Sequence, residues 1–205
     1  TSNPCAGISI PRSAPKKLVE RSIITPEQFA ALLKKCPIGH KHHMLLRLAY
    51  HTGARIGEVL GLTWDDVDLQ NSTIHICRQL SSAGRRCCMF FSEPKSSAST
   101  RKIYIDGGMV NALREWKIIQ AQNELRLGNA YQIVYEGPDR RVYTAPKIEA
   151  TPEGMVRRPL VCSDRFGLPV SYASLRHLLS AHGLNSHSFR HTHATRLIEA
   201  GANPI

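Results

Sequence analysis

The stretch His187-Ser188-Phe189-Arg190-His191-Thr192-His193-Ala194-Thr195 limits most narrowly what this chain can become. Wound at 3.6 residues per turn, it sets His187, Arg190 and His191 on one helix face and lets Phe189, Leu197 and Ile198 turn toward a core. A guanidinium keeps its charge at any working pH and an imidazole titrates near neutrality, so this polar face suits a phosphate. A structural helix with a wet His/Arg side would look the same, and the stretch gains meaning from a second one far upstream. There His51-Thr52-Gly53-Ala54-Arg55-Ile56-Gly57-Glu58 puts a Thr-Gly turn before Arg55, at a helix start where backbone N–H groups also favour anions. Glu58, three residues on, can meet Arg55 across one turn.

The charge balance agrees with an anionic partner. Lys and Arg number 27 against 16 Asp and Glu, a net charge of +11 over 205 residues, which favours a polyanion such as nucleic acid. A chain of this length can bury one full core, so one domain with a tail is expected. No run of 18 apolar residues exists, which excludes a helical membrane span. Nor does an apolar leader open the chain. The six cysteines, at 5, 36, 77, 87, 88 and 162, form no C-x-x-C pair, which argues against a zinc ribbon or redox motif. They read as reduced thiols of a cytoplasmic protein.

Taken in order, residues 1–24 hold Pro4, Pro11, Pro15, Lys16 and Lys17 with little apolar periodicity, an extended basic linker. Thr25-Pro26-Glu27-Gln28 is a capping box with proline at the first helical position, and its helix runs to about Lys35. The run His40-Lys41-His42-His43 reads as a solvated turn rather than a metal site, since no carboxylate or cysteine stands within it. Met44–Tyr50 is a buried helix stopping at Gly53, and Trp64–Leu69 is a turn. Thr73–Cys77, Cys87–Phe91 and Arg101–Ile105 read as strands, the last two joined by a polar, serine-rich hairpin loop flanked by Arg85, Arg86, Lys95, Arg101 and Lys102. Met109–Leu127 gives a long amphipathic helix ending at Gly128. Residues 129–158 read as an irregular surface insertion with strand-like pieces. Ser171 caps a helix that reaches His182-Gly183, and a short connection leads to the His187 helix. His187 and His191 have a zinc-friendly i, i+4 spacing, but Ser188 stands where H-E-x-x-H requires Glu, so no metal ligand is assigned. His193 reads as ordinary surface.

The two motifs together resemble the tyrosine recombinase (phage and conjugative-element integrase) family, whose first motif reads T-G-x-R-x-x-E and whose second reads H-x-x-R-H-T-x-A-T; both stand here in the right order. The resemblance implies an α+β fold, a mainly helical catalytic domain with a small three-stranded antiparallel sheet. It implies a site-specific recombinase for DNA integration that works through a 3′-phosphotyrosyl intermediate without a cofactor. Arg55, Lys95, His187 and Arg190 would be catalytic, with Glu58 and His191 supporting them, and Lys16, Lys17, Arg101 and Lys102 would bind DNA. Pro94–Arg101 matches in outline the hairpin that delivers the family's catalytic lysine, and Lys102 remains a rival to Lys95. The partners implied are double-stranded attachment sites, with a tetramer on DNA for the full-length protein, a monomeric fragment and no membrane. Residues 1–24 would follow a missing core-binding domain, and residues 25–205 would be a catalytic domain cut before its nucleophilic tyrosine. No tyrosine follows the last helix, so none of those at 50, 104, 131, 135, 143 and 172 is nominated and the piece alone is expected not to cleave. A non-cutting DNA-binding module of the same fold and a type IB topoisomerase are the alternatives.

Overall fold

The computed structural model describes residues 23–83, 88–93, 99–147 and 151–202, and the structural statements below concern these residues. Helix α1, Pro26–Lys35, starts at the expected capping box: Thr25 Oγ1 accepts from the Gln28 N–H at 3.2 Å while Gln28 Oε1 accepts from the Thr25 N–H at 3.0 Å. Helix α2, His43–Thr52, is the hub. Met44, Leu45, Leu46, Leu48 and Ala49 are essentially without solvent contact, and α2 packs against three other helices. A helix apolar on nearly every side is stable only when neighbours cover it all round. It ends at Gly53, whose φ of +60° is a left-handed C-cap that glycine reaches without a Cβ clash.

Helix α3, Ile56–Leu60, and a 3-10 turn at Trp64–Asp66 follow, the latter capped by Asp66, which accepts from the N–H and the hydroxyl of Thr63. Strands β1 (Val67–Asp68), β2 (Thr73–Ile76) and β5 (Arg101–Tyr104) then form a three-stranded antiparallel sheet, in the order β1-β2-β5, whose first strand lies in the segment read as a turn. The pairing of the middle strands differs from the sequence reading. Strand β4, Cys88–Ser92, pairs with β3, Gln79–Ala83, as a separate ribbon rather than with β5. The reason lies in cross-strand partners: Leu80 faces Phe91 in one register and Ile74 faces Ile103 in the other, so each apolar pair closes its own sheet over the core.

Helix α4, Gly107–Leu127, is capped by Asp106, which accepts from the Met109 N–H at 2.8 Å, two residues ahead of the expected start. The segment expected to be irregular carries a third sheet, with β6 (Gln132–Glu136) between β7 (Val142–Pro146) and β8 (Val156–Arg157). Its Tyr131, Ile133 and Tyr135 are buried, and Glu136 is ringed by Arg140 and Arg158. Helices α5 (Tyr172–Ser180) and α6 (Ser186–Glu199) close the chain. Phe189 turns inward as expected, whereas Leu197 and Ile198 are 47% and 55% exposed. The packing face of α6 is Ser188, Phe189 and Thr192, all in its first half, so the later turns leave the core. Thr192 Oγ1 accepts from the Ile24 N–H at 2.8 Å, tying α6 to the residues that lead into α1.

The histidine-rich run is a turn leading into α2, but only Lys41 in it is exposed. His42 and His43 are buried; His43 Nδ1 donates to the Cys36 carbonyl at 2.7 Å and its Nε2 accepts from Arg47 at 3.1 Å, so helix contacts take up both ring nitrogens. No helix among the described residues is long and apolar enough to cross a membrane.

Candidate active site

Arg55 is the N-cap residue of α3, with an extended ψ of 144°, and its side chain is 52% exposed. The anion-seeking N–H at this helix start is already used: it donates to Glu58 Oε2 at 3.0 Å. Glu58 lies one turn on, with a side chain only 1% exposed, and accepts a second bond from Arg55 Nη1 at 2.9 Å through Oε1. A third comes from Arg101 Nη2 at 2.9 Å to Oε2. Burial alone would raise the Glu58 pKa, but the hydrogen bonds from Arg101 and Arg55 outweigh it and hold the carboxyl below its ordinary value. One buried carboxylate thus fixes two guanidinium groups from elements 43 residues apart in sequence.

Arg190 arrives from α6, and its Nη1 donates to the Gly53 carbonyl at 3.1 Å. This bond joins the two sequence motifs across 137 residues. Partial burial, and then the charges of Arg55 and Arg101, push the Arg190 pKa down. Three cations crowded around one carboxylate leave an excess of positive charge, which a bound anion would relieve. Arg55, Glu58, Gln79, Tyr172, His187 and Arg190 line one hollow. His187 is held there from its backbone: its N–H donates to Asn185 Oδ1 at 2.8 Å in the N-cap of α6, and the exposed imidazole is left to face the hollow.

Gly53 carries more than a turn. A Cβ at this position would lie 2.6 Å from the ring of His193, so the backbone that accepts the Arg190 bond can sit on α6 only as glycine. His193 is therefore half-buried packing rather than ordinary surface, and burial, reinforced by Arg196, lowers its pKa. Gly53→Ala is expected to cost about 2 kcal/mol or more, combining the left-handed backbone with the ring clash. Thermal unfolding measures this, and an unchanged midpoint would contradict the packing described.

The structure brings together Arg55, Glu58, His187 and Arg190, as expected, and adds Arg101, which the sequence reading placed on DNA. His191 is partly buried on α6 and is not among the residues that line the hollow. Lys102, next along β5, is turned to the other face of its sheet beside Asp68, His75 and Lys117. Lys16, Lys17 and Lys95 lie outside the described residues. Gln79 and Tyr172 were not anticipated. Tyr172 opens α5 right after its Ser171 cap, and its hydroxyl lies 3.0 Å from Ser186 Oγ at the start of α6, beside His187.

Fold and hollow together define a class: an α+β domain in which guanidinium groups from distant elements share one hollow. Comparison with known proteins makes the assignment narrower. Residues 22–144 match the model of the phage integrase family. Over 97% of its length the chain is 27% identical to a tyrosine recombinase XerC-like protein of Caldanaerobacter subterraneus subsp. tengcongensis, covering 50% of that protein. It is 25% identical over 99% of its length to the ICEBs1 integrase of Bacillus subtilis strain 168, covering 49% of it. Among solved structures, the Tn1549 transposon integrase in complex with a circular intermediate DNA superposes with a TM-score of 0.63 at 20% identity, over 93% of this chain and 57% of that one. The XerA recombinase gives 0.54 at 16% identity, over 93% of this chain and 54% of that one. The chain belongs to the phage integrase family, and it spans about half the length of the curated relatives it matches.

Proposed function

We propose that this chain is the catalytic domain of a site-specific DNA recombinase that cuts and rejoins strands through a 3′-phosphotyrosyl link. The observation that carries the reading is that Arg55, Arg190 and His187 line one hollow with buried Glu58, whose carboxylate also holds Arg101. Attack on a phosphodiester places extra negative charge on the two non-bridging oxygens. Arg55 and Arg190 would each offer a planar fork of donors to them, positioned before the reaction begins. Glu58 touches no substrate in this scheme; it holds Arg55 and Arg101 in place. His187 brings an imidazole, a group that can both take up and release a proton, and suits proton transfer at the attacking or departing hydroxyl. Lys95 is the proposed acid for the 5′ leaving oxygen, since Lys102 is on the far side of the sheet.

The nucleophilic tyrosine, in this proposal, comes from a longer protein beyond residues 1–205, which also supplies a core-binding domain ahead of the basic linker with Lys16 and Lys17. Synapsis of two attachment sites would then require a tetramer on DNA. A nicked suicide substrate tests the reading. The full-length protein is expected to trap a covalent adduct that maps outside residues 1–205, and these residues alone should trap none. An adduct on this chain, with Tyr172 in the hollow as the first suspect, would overturn the division of labour.

Double-stranded DNA is the proposed partner, and its binding should depend steeply on salt. With about six phosphate contacts, the slope of log K against log salt is expected near −5. A flat response in filter-binding or anisotropy titrations would remove DNA as the polyanion that the +11 net charge serves.

A further inference from the structure

Where α1 turns into α2 lies a group of ligand-bearing side chains that the recombination chemistry does not use. Cys36 at the C-cap of α1, His40 in the following turn and His42 at the N-cap of α2 offer ligand atoms that all lie within 4.8 Å of one another. We infer that Cys36, His40 and His42 form a binding site for a zinc-type metal ion, which clamps the α1–α2 turn to α5.

The hydrogen bonds around His42 carry the argument. Ser174 on α5 has one hydroxyl proton, and it donates this to the Ser171 carbonyl at 2.8 Å. The 2.9 Å contact between Ser174 Oγ and His42 Nε2 therefore has the imidazole as donor. His42 is thus the Nε2–H tautomer, and its Nδ1 presents a bare lone pair. That Nδ1 is buried and has no hydrogen-bond partner, alone among the side-chain nitrogen and oxygen atoms of the described residues. Such an orphan is costly inside a protein unless something occupies it. An imidazole oriented by a hydroxyl on one nitrogen with the other free is the arrangement by which a neighbouring group fixes a metal-binding histidine.

Cys36 supplies a soft ligand and His40 a second imidazole. The set of one sulfur and two nitrogens selects zinc-type or cuprous ions over calcium or magnesium. At Zn–S of about 2.3 Å and Zn–N of about 2.1 Å, a tetrahedral ion needs S···N separations of about 3.6 Å, so the three side chains close by about an ångström. His40 would give up the long 3.2 Å bond that its Nδ1 accepts from the His42 N–H, and the Cys36 thiol proton would leave to solvent. His40 is only partly buried, which leaves the fourth position to water. The other cluster of this type, Asp66, His75 and Cys77, is weaker, because Asp66 is already engaged by Thr63, Cys77 and Arg78.

The test titrates Co²⁺, then Zn²⁺, into the reduced chain. One cobalt per chain with a thiolate-to-cobalt charge-transfer band, displaced by zinc, is expected, together with a higher thermal midpoint in zinc. His40→Ala, at a partly exposed position that folding tolerates, should weaken zinc binding about tenfold or more. Cys36→Ser should remove the band, while His182→Ala, remote from the cluster in sequence, should change neither. No stoichiometric band, or a band that survives Cys36→Ser with its zinc affinity intact, would overturn the site.

Discussion

Replacing Arg190 by alanine in the full-length protein is expected to slow strand cleavage by about 10²–10³-fold, or roughly 3–4 kcal/mol of barrier, while leaving attachment-site binding largely in place. The expectation follows from where the side chain sits. Among the described residues Arg190 makes one hydrogen bond, to the Gly53 carbonyl, and otherwise lines the hollow, so the fold loses little when it goes. Phosphate contacts spread over a duplex carry most of the affinity, and one cation fewer moves it slightly. Its charge matters most when the scissile phosphate gains charge in the transition state. Single-turnover cleavage of a nicked substrate, run beside an equilibrium binding titration, separates the two effects. Equal loss of both would favour the alternative of a binding module that keeps this fold without cutting.

Glu58→Ala is expected to cost about 3 kcal/mol of folding stability, a larger loss than surface ion pairs give. The difference is burial: the carboxylate is 1% exposed and accepts three hydrogen bonds, so its removal strands the Arg55 N–H and frees two guanidinium groups to repel Arg190. The effect depends on pH with a definite sign. Because the folded-state pKa of Glu58 is depressed, its contribution is complete above the unfolded value of about 4.3 and fades as the pH drops through the lower folded value. Glu58→Gln should therefore lose stability at neutral pH and show a shallower fall on the acid side than the parent. Denaturant unfolding at several pH values measures both, and parallel curves would mean that Glu58 is not the hub of the arginine cluster.

The two halves of the site were legible in the sequence because each sits on a local device. Thr-Gly before Arg55 announces a turn and a helix start, and Glu58 at i+3 announces the ion pair. The His187–Thr195 spacing likewise announces a helix that opens on polar side chains. What local patterns do not carry is the third dimension of the sheet. Arg101 and Lys102 are adjacent and equally basic, and only the pleat of β5 sends the first to Glu58 and the second to the opposite face. The same limit explains β4: its apolar run predicts a strand but not which partner it takes, and Leu80 against Phe91 decided it. Tyr131–Tyr135 reads as strand-like, but the sheet built on it escaped because the segment sits among turn residues such as Gly137-Pro138. Tyr172 and Gln79 carry no motif at all; the packing of α5 and β3 alone brings them to the hollow.

Whether the guanidinium groups gather on a single phosphate can be measured by neutralising the phosphate itself. Full-length protein and its Arg55→Ala and Arg190→Ala variants would cleave two substrates, one natural and one with a methylphosphonate at the scissile position, which lacks the charge of one non-bridging oxygen. The prediction is that the deficit of each variant on the natural substrate shrinks strongly on the neutral one, because the missing cation no longer has that charge to meet. Deficits of the same size on both substrates would show that Arg55 and Arg190 act elsewhere, and would contradict the site as described.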